Sequence, residues 1–161
     1  MVILGIDPGI ARCGWGVIEI IKNSEFRVKS YGCIETSSKK EVPQRLLELH
    51  KQIQFLITKY KPQAFAIEEL FFNTNAKTAF VVGQARGVIL LAAEEKKLDI
   101  AIYTPLQVKL AVTGYGRAEK AQMGKMVKAI LKLGQIPKPD DTADALAVAL
   151  THAFSAKLRV L

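Results

Sequence analysis

Residues 1–35, MVILGIDPGIARCGWGVIEIIKNSEFRVKSYGCIE, decide the fold because they predict three strands in a row. MVILGID is a short apolar run that stops at Asp-Pro-Gly, a turn signal. CGWGVIEII and FRVKSYGCIE are strand-like and are separated by the hairpin loop KNSE. The pattern therefore predicts an antiparallel meander. Gly14 and Gly16 weaken its second strand and let something approach that backbone closely.

Beyond residue 35 the periodicity changes, and helices alternate with strands. The predicted elements are an amphipathic helix over 44–60, a buried strand within AFAIEEL at 64–70, a long helix over 76–97, a strand at 99–103, a short helix over 105–111, the glycine-punctuated loop TGYGR at 113–117, a helix over 120–133 and a last helix that starts near Asp141. This order predicts an α/β fold with a five-stranded mixed sheet, three antiparallel strands and then two parallel ones, flanked by helices. Strands 1, 4 and 5 would run parallel near its centre.

The composition is that of a globular domain. Half of the 161 residues are apolar, and we expect residues 1–161 to form a single domain. The two cysteines, Cys13 and Cys33, favour a reduced, cytoplasmic location. We interpret them as buried thiols on neighbouring strands, and a Cys13–Cys33 disulfide is the alternative. The opening lacks a basic leader and no apolar run approaches the ~20 residues that span a bilayer, so we expect neither a signal peptide nor a membrane helix.

The net charge of +8 is concentrated in one segment. Residues 104–139 contain seven basic residues and one acid, Glu119, and so hold +6 of the total. The basic residues are Lys109, Arg117, Lys120, Lys125, Lys128, Lys132 and Lys138. A solvated helix face is the alternative, but clustering of one sign favours a polyanion partner, usually nucleic acid.

Acidic residues follow two of the predicted parallel strands. Asp7 ends the first strand, at the sheet edge where open α/β sheets bind ligands, although an Asx-turn that caps Pro8-Gly9 explains it equally well. Glu68 and Glu69 follow the apolar run AFAI and must face opposite sides of the sheet. The pattern does not tell which of the two faces the Asp7 side.

A second acidic group opens the last helix. Asp141 and Asp144 are three residues apart and share a helix face. Helix capping explains them well when they are taken alone, because aspartate is a favoured N-cap and gains from the helix dipole. His50 and His152 are not spaced as metal ligands, and structural roles are favoured for both.

The acids together suggest metal chemistry. Four carboxylates at one sheet edge would repel each other unless cations neutralised them, and oxygen ligands suit Mg²⁺ rather than Zn²⁺. Two-metal carboxylate sites perform in-line displacement at phosphorus. A basic segment beside such a site would hold a nucleic-acid backbone, so the residues predict a metal-dependent nuclease.

Segments along nearly the whole chain also resemble a known family. They are LGIDPGIARCGWGVI, FAIEELFFNTNAKTA, VGQARGV, AEKAQM and DDTADALAVALTH. Together they resemble the RuvC family of Holliday-junction resolvases, in the ribonuclease H-like superfamily. The resemblance implies a catalytic, metal-binding set of Asp7, Glu68, Asp141 and Asp144 that holds two Mg²⁺ ions per subunit, with Mn²⁺ as a substitute. It favours Glu68 over Glu69, and Asp140 keeps the role of a cap.

The resemblance also implies partners. The family cuts two strands of like polarity in a four-way DNA junction, acts as a homodimer and works with the RuvA–RuvB branch-migration complex. The long helix over 76–97 resembles its dimer-forming helix. Lys109 and Lys120 match lysines that contact DNA phosphates, and Phe71 resembles an aromatic that stacks near unpaired bases, although a core role is the alternative. Arg12 and Arg117 are predicted phosphate contacts on charge and loop position only.

Two other functions compete with a nuclease. The chain could be a non-catalytic junction-binding module whose carboxylates are caps and strand ends. It could instead be a nucleotide-binding domain of the actin or sugar-kinase type, whose first strand also ends in Asp and Gly; such a domain binds ATP and usually needs two lobes. Nicking of a junction with and without Mg²⁺ distinguishes the three.

Overall fold

The computed structural model describes residues 1–21, 25–70 and 76–158 of the chain. The elements are β1 (Val2–Asp7), β2 (Arg12–Ile20), β3 (Phe26–Glu35), α1 (Val42–Tyr60), β4 (Ala64–Glu68), α2 (Ala76–Glu94), β5 (Asp99–Tyr103), α3 (Pro105–Thr113), α4 (Lys120–Ile130) and α5 (Asp140–Leu158). Every predicted strand and helix is present. The largest boundary differences are at α2 and α4, which each end three residues before the predicted position.

One mixed sheet organises the molecule, with the strand order β3-β2-β1-β4-β5. β1 pairs antiparallel with β2, and β2 with β3, while β1, β4 and β5 run parallel. This confirms the predicted fold class of three antiparallel strands followed by two parallel ones. β5 lies further out than predicted, at the edge of the sheet beyond β4.

The two faces of the sheet carry separate cores because strand side chains alternate. Leu4 and Ile6 of β1 and Phe65 of β4 lie in a cluster with residues of α1 and α2. Ile3 of β1 and Ala66 of β4 face the other way, into a cluster with residues of α3, α4 and α5. Asp7 continues the Ile3 side, so the last side chain of β1 points toward α5.

Glycines on the strands let α5 lie directly on the sheet. A Cβ atom on Gly14 would overlap the backbone carbonyl oxygen of Asp141, and one on Gly16 would come within 2.6 Å of the Leu146 side chain. The stretch Ala145–Leu150 of α5 is fully buried against this surface. The sequence predicted that something could approach these glycines closely, and the structure shows that the approaching element is α5. Its position brings the first turn of α5 beside the ends of β1 and β2.

The cysteines lie on adjacent strands, as predicted. Cys13 is fully buried, whereas Cys33 is only half-buried, and both are free thiols. Burial raises the pKa of Cys33 to about 11 and that of Cys13 still further, so both thiols stay protonated at neutral pH. No helix in the described part of the chain is long and apolar enough to cross a membrane.

Candidate active site at the carboxyl ends of β1 and β4

Asp7 and Glu68 are the last residues of two paired parallel strands. Ile6 lies opposite Ile67 in the register, so the two carboxylates that follow leave the sheet side by side. Glu68 follows Ala64 and Ala66 onto the α5 face. Glu69 lies beyond the strand, is exposed, and donates its backbone N–H to the Tyr103 carbonyl at 2.8 Å. The structure therefore brings Glu68, and not Glu69, together with Asp7.

The N-terminal part of α5 supplies the other two acids, Asp141 in the first turn and Asp144 one turn later. Asp144 lines the same cavity as Asp7 and Glu68. Asp141 lies on the β2 side, where its Oδ2 is 3.3 Å from Nε of Arg12. This oxygen is buried and accepts no hydrogen bond from any described residue, despite the short ion-pair distance. Asp144 therefore joins Asp7 and Glu68 in the cavity, whereas Asp141 does not line it and pairs with Arg12 of β2.

Basic residues also line this cavity, which has a volume of about 490 Å³. Lys109 comes from α3, Arg117 from the loop between α3 and α4, and Lys120 is the first residue of α4. The structure therefore places three of the predicted phosphate contacts in the same cavity as three of the predicted metal ligands. Glu119, the N-cap of α4, also lines the cavity, a position that the sequence pattern did not predict for it.

Burial and mutual repulsion make the carboxyl groups weak acids. Burial, and then the charges of Glu68, Asp144 and Asp141, raise the pKa of Asp7 to about 8, against an opposing effect of Lys120. Burial and the Asp144 charge raise the pKa of Glu68 to about 7, against Lys120, Lys109 and a hydrogen bond with Asp7. Without a cation, Asp7 is therefore mostly protonated at neutral pH and donates a hydrogen bond to Glu68, whose carboxyl group is about half ionised.

Lys120 supplies a cation in direct contact with these acids on the α4 side. Its Nζ lies 3.3 Å from Oδ2 of Asp144. The Asp144 charge raises the pKa of Lys120, and burial raises the pKa of Asp144 although Lys120 opposes this. The Lys120 ammonium group therefore neutralises the charge of the Asp144 carboxylate, which a bound metal ion would also neutralise.

The donor set fits a hard divalent cation. All four donors are carboxylates, and Oδ2 of Asp141 is a buried acceptor that pairs with Arg12 but accepts no hydrogen bond from the described residues. Burial and the neighbouring carboxylates raise the pKa of Asp7 and Glu68, which a bound cation would counteract. Within the described ranges, however, no three His, Cys, Asp or Glu side chains stand close enough to share an ion. Binding would therefore require side chains to turn inward, Asp144 away from Lys120 in particular.

The other predicted residues lie elsewhere. Arg12 does not line the cavity; its guanidinium pairs with Asp141 on the β2 side. Phe71 lies outside the described residues. His152 contacts the Tyr103 hydroxyl through Nδ1 at 3.0 Å, and His50 contacts Glu95 at 3.0 Å between α1 and the end of α2, which agrees with structural roles.

Comparison with known proteins identifies the family. A family model described as crossover junction endodeoxyribonuclease RuvC matches residues 3–152. The chain belongs to the RuvC family. The RuvC protein of Alkaliphilus metalliredigens is 56% identical over 161 residues, which cover 100% of this chain and 98% of that protein. The RuvC protein of Ruminiclostridium cellulolyticum is 53% identical over 161 residues, 100% of this chain and 96% of that one.

Solved RuvC structures have the same fold. Thermus thermophilus RuvC superposes with a TM-score of 0.90 at 38% identity, covering 99% of this chain and 97% of that one. The same protein in complex with a Holliday junction substrate gives 0.90 at 36% identity, with 98% and 96% covered. The yeast mitochondrial Holliday junction resolvase, at 16% identity and a TM-score of 0.72, shares the fold, over 98% of this chain and 80% of that one. The predicted membership in the RuvC family is confirmed.

Proposed function

We propose that this chain is a divalent-metal-dependent endonuclease that resolves four-way DNA junctions. The observation that carries the proposal is the RuvC family match over residues 3–152. A cavity lined by carboxylates and by Lys109, Arg117 and Lys120 supports it, because a phosphodiester bound there could contact both the metal ligands and the cations. A nucleotide-binding domain and a non-catalytic binding module both explain this arrangement less well.

Mg²⁺ is the proposed metal, with two ions per subunit and Mn²⁺ as a substitute. Asp7, Glu68, Asp141 and Asp144 would hold the ions. When bound, such ions activate an attacking water and stabilise the leaving oxygen. The raised pKa values of Asp7 and Glu68 support this assignment, since a cation would take the place of the proton that Asp7 holds at neutral pH and would favour the ionised form of Glu68.

The basic residues would bind the DNA backbone. Lys120 would exchange Asp144 for a phosphate oxygen, and Lys109 and Arg117 would contact phosphates in the same cavity. Arg12 would contact DNA through the part of its side chain that Asp141 leaves exposed. Phe71 would stack on unpaired bases; that proposal rests on the family resemblance alone.

Assembly and partners follow from the family and are also proposals. The chain would act as a homodimer through α2, and its two sites would nick strands of like polarity in a substrate of nearly twofold symmetry. Residues 1–161 would form one nuclease domain, located in the cytoplasm and working with a RuvA–RuvB complex.

A junction-nicking assay tests the enzymatic proposal. The parent chain should nick a labelled four-way junction in Mg²⁺ and not in EDTA. Asp7→Asn should lower the rate at least about a hundredfold, because it removes one of the charges that hold the metal, worth several kcal/mol in such sites. Glu69→Gln is the matched control at an exposed strand-end acid and should nick like the parent. Equal rates for Asp7→Asn and the parent, with equal junction binding, would falsify the role of Asp7.

A further inference from the structure

The loop between α3 and α4 holds an exposed aromatic ring on a fixed backbone. Tyr115 is 56% exposed. Its backbone N–H donates to the Thr113 hydroxyl at 3.1 Å, its carbonyl accepts from Ala118 N–H at 3.1 Å, and the Thr113 hydroxyl lies 2.8 Å from the Lys109 carbonyl. Gly114, at φ 72°, ends α3 in the left-handed conformation that directs the chain into this loop. The ring is therefore presented to solvent from a preorganised position.

The same loop lies on an apolar face of α3. A Cβ atom on Gly116 would come within 2.6 Å of Leu106 Cδ1 and 3.7 Å of Leu110 Cδ2, so the loop backbone packs on these two side chains. Leu106 and Leu110 are themselves about half exposed. We call Leu106, Leu110 and Tyr115 the apolar ledge. Single exposed apolar residues are ordinary, but three that share one surface indicate a binding surface.

The charges around the apolar ledge indicate its ligand. Lys109 precedes Leu110 on α3, and Arg117 follows Tyr115 by two residues; both basic side chains line the cavity that Asp7 and Glu68 also line. Basic side chains on either side of an exposed aromatic ring can bind an unpaired nucleic-acid strand, with phosphates on the cations and a base on the ring. Charge complementarity and continuity with the cavity therefore favour DNA over a protein partner.

We propose that Tyr115, supported by Leu106 and Leu110, stacks on a base of the strand whose phosphate enters the carboxylate cavity. This inference rests on the proposed junction-cleaving function. A base at the crossover of a four-way junction can lose a stacking neighbour, and an aromatic ring replaces that neighbour without regard to sequence. Tyr115 lies on the α3–α4 loop, whereas Phe71 follows β4 in the chain, so the apolar ledge contains no residue of the segment that holds Phe71.

Binding of a four-way junction that carries 2-aminopurine beside the crossover tests the proposal. In EDTA, Tyr115→Ala should weaken junction affinity about 5- to 150-fold, the equivalent of about 1–3 kcal/mol per stacked base. Part of the change in 2-aminopurine fluorescence on binding should disappear, and affinity for plain duplex should stay at the parental value. Tyr115→Phe should behave like the parent, since it keeps the ring.

Two further variants separate stacking from other effects. Phe55→Ala on α1, at a ring that is 57% exposed and outside the cavity lining, should leave junction affinity unchanged. Arg117→Gln should reduce the slope of log affinity against log salt by about 0.7–0.9, whereas Tyr115→Ala should leave that slope unchanged.

Three results would overturn the inference: parental affinity in Tyr115→Ala, an equal loss on junction and duplex, or a changed salt slope in that variant. These results differ from the result expected if the proposed function is wrong. If the chain is not a junction-cleaving enzyme, the parent chain itself will neither bind the junction in preference to duplex nor nick it in Mg²⁺.

Discussion

At the scale of single residues, the site depends on carboxyl groups that cannot all ionise in the absence of a cation. Asp7 ends the central strand, is largely buried, and has three other carboxylates near it, which raise its pKa to about 8. Glu68 follows with a pKa of about 7. The same repulsion that disfavours the empty, ionised site favours a bound divalent cation, so metal binding and proton release should be linked.

The raised pKa values predict how the stability of the metal-free protein depends on pH. The values for Asp7 and Glu68 lie well above their ordinary 3.8 and 4.5, so the folded protein binds more protons than the unfolded chain. Their contribution to the free energy of unfolding should therefore fall as pH rises from about 4 to about 8 and level off above that. Asp7→Asn should remove much of this fall and be more stable than the parent at pH 8 by more than about 1 kcal/mol.

Urea unfolding in EDTA at pH 5 and pH 8 measures this effect. Asp7→Asn and the parent should differ little at pH 5, where Asp7 is protonated, and diverge at pH 8. Adding Mg²⁺ at pH 8 should stabilise the parent more than the variant. A difference between the two proteins that is the same at both pH values contradicts the assignment.

At the scale of elements, the contact between α5 and the meander sets the geometry of the site. α5 lies against Gly14 and Gly16 of β2, where a side chain would collide with the helix backbone or with Leu146. Because Asp141 and Asp144 are near the N-terminus of this helix, any outward shift of α5 moves both carboxylates away from Asp7. The glycines on β2 are thus part of the site although they carry no functional group.

Gly14→Ala should consequently damage both stability and activity. The new Cβ would overlap the Asp141 carbonyl oxygen, and overpacking of this kind costs about 1–3 kcal/mol. Because the shift falls on a proposed metal ligand, nicking should fall by more than the loss of folded protein explains. Urea midpoints and nicking rates per folded molecule measure the two effects.

Gly134→Ala provides the comparison for this substitution. Apart from its two neighbours in the chain, no described residue has an atom within 4 Å of the position that its Cβ would occupy, and we expect parental stability and activity. If Gly14→Ala also kept parental values of both, α5 would tolerate a shift and the proposed role of the β2 glycines would be wrong.

At the scale of the whole molecule, the two faces of the sheet are covered by different helices. The carboxylate cavity lies on the face covered by α3, α4 and α5, whereas α1 and α2 cover the other face. α2 packs on α1 and still exposes the large apolar side chains Phe80 and Leu91. That exposed side of α2 is where we place the dimer interface, which would leave both carboxylate cavities free for DNA.

Leu91→Asp should therefore weaken the proposed dimer. A buried, unpaired carboxylate at an interface is costly, and we expect a shift toward monomer in sedimentation velocity at micromolar concentration. Leu47→Asp on α1 is the matched control, since Leu47 is 54% exposed and Leu91 is 53% exposed. The monomeric variant should nick the two junction strands independently. Equal sedimentation of parent and both variants would place the interface elsewhere.

Local sequence patterns determined most of the architecture of this protein. Turn signals, alternation and three-to-four-residue periodicity depend on near neighbours in the chain, so they predicted all five described strands and five described helices in order. They also located the strand-end acids, the acid pair on α5 and the basic segment, because each of these features is local.

Only the tertiary structure decided which of these side chains meet. The sheet register and the face to which β4 turns put Glu68 beside Asp7, a choice that alternation alone left open. Long-range packing of α5 on Gly14 paired Arg12 with Asp141, where charge and loop position had predicted a phosphate contact. The physical reason is the same in both cases. The sequence pattern around a residue reflects the strand or helix to which that residue belongs. The distance between two carboxylates on different elements depends on how those elements pack.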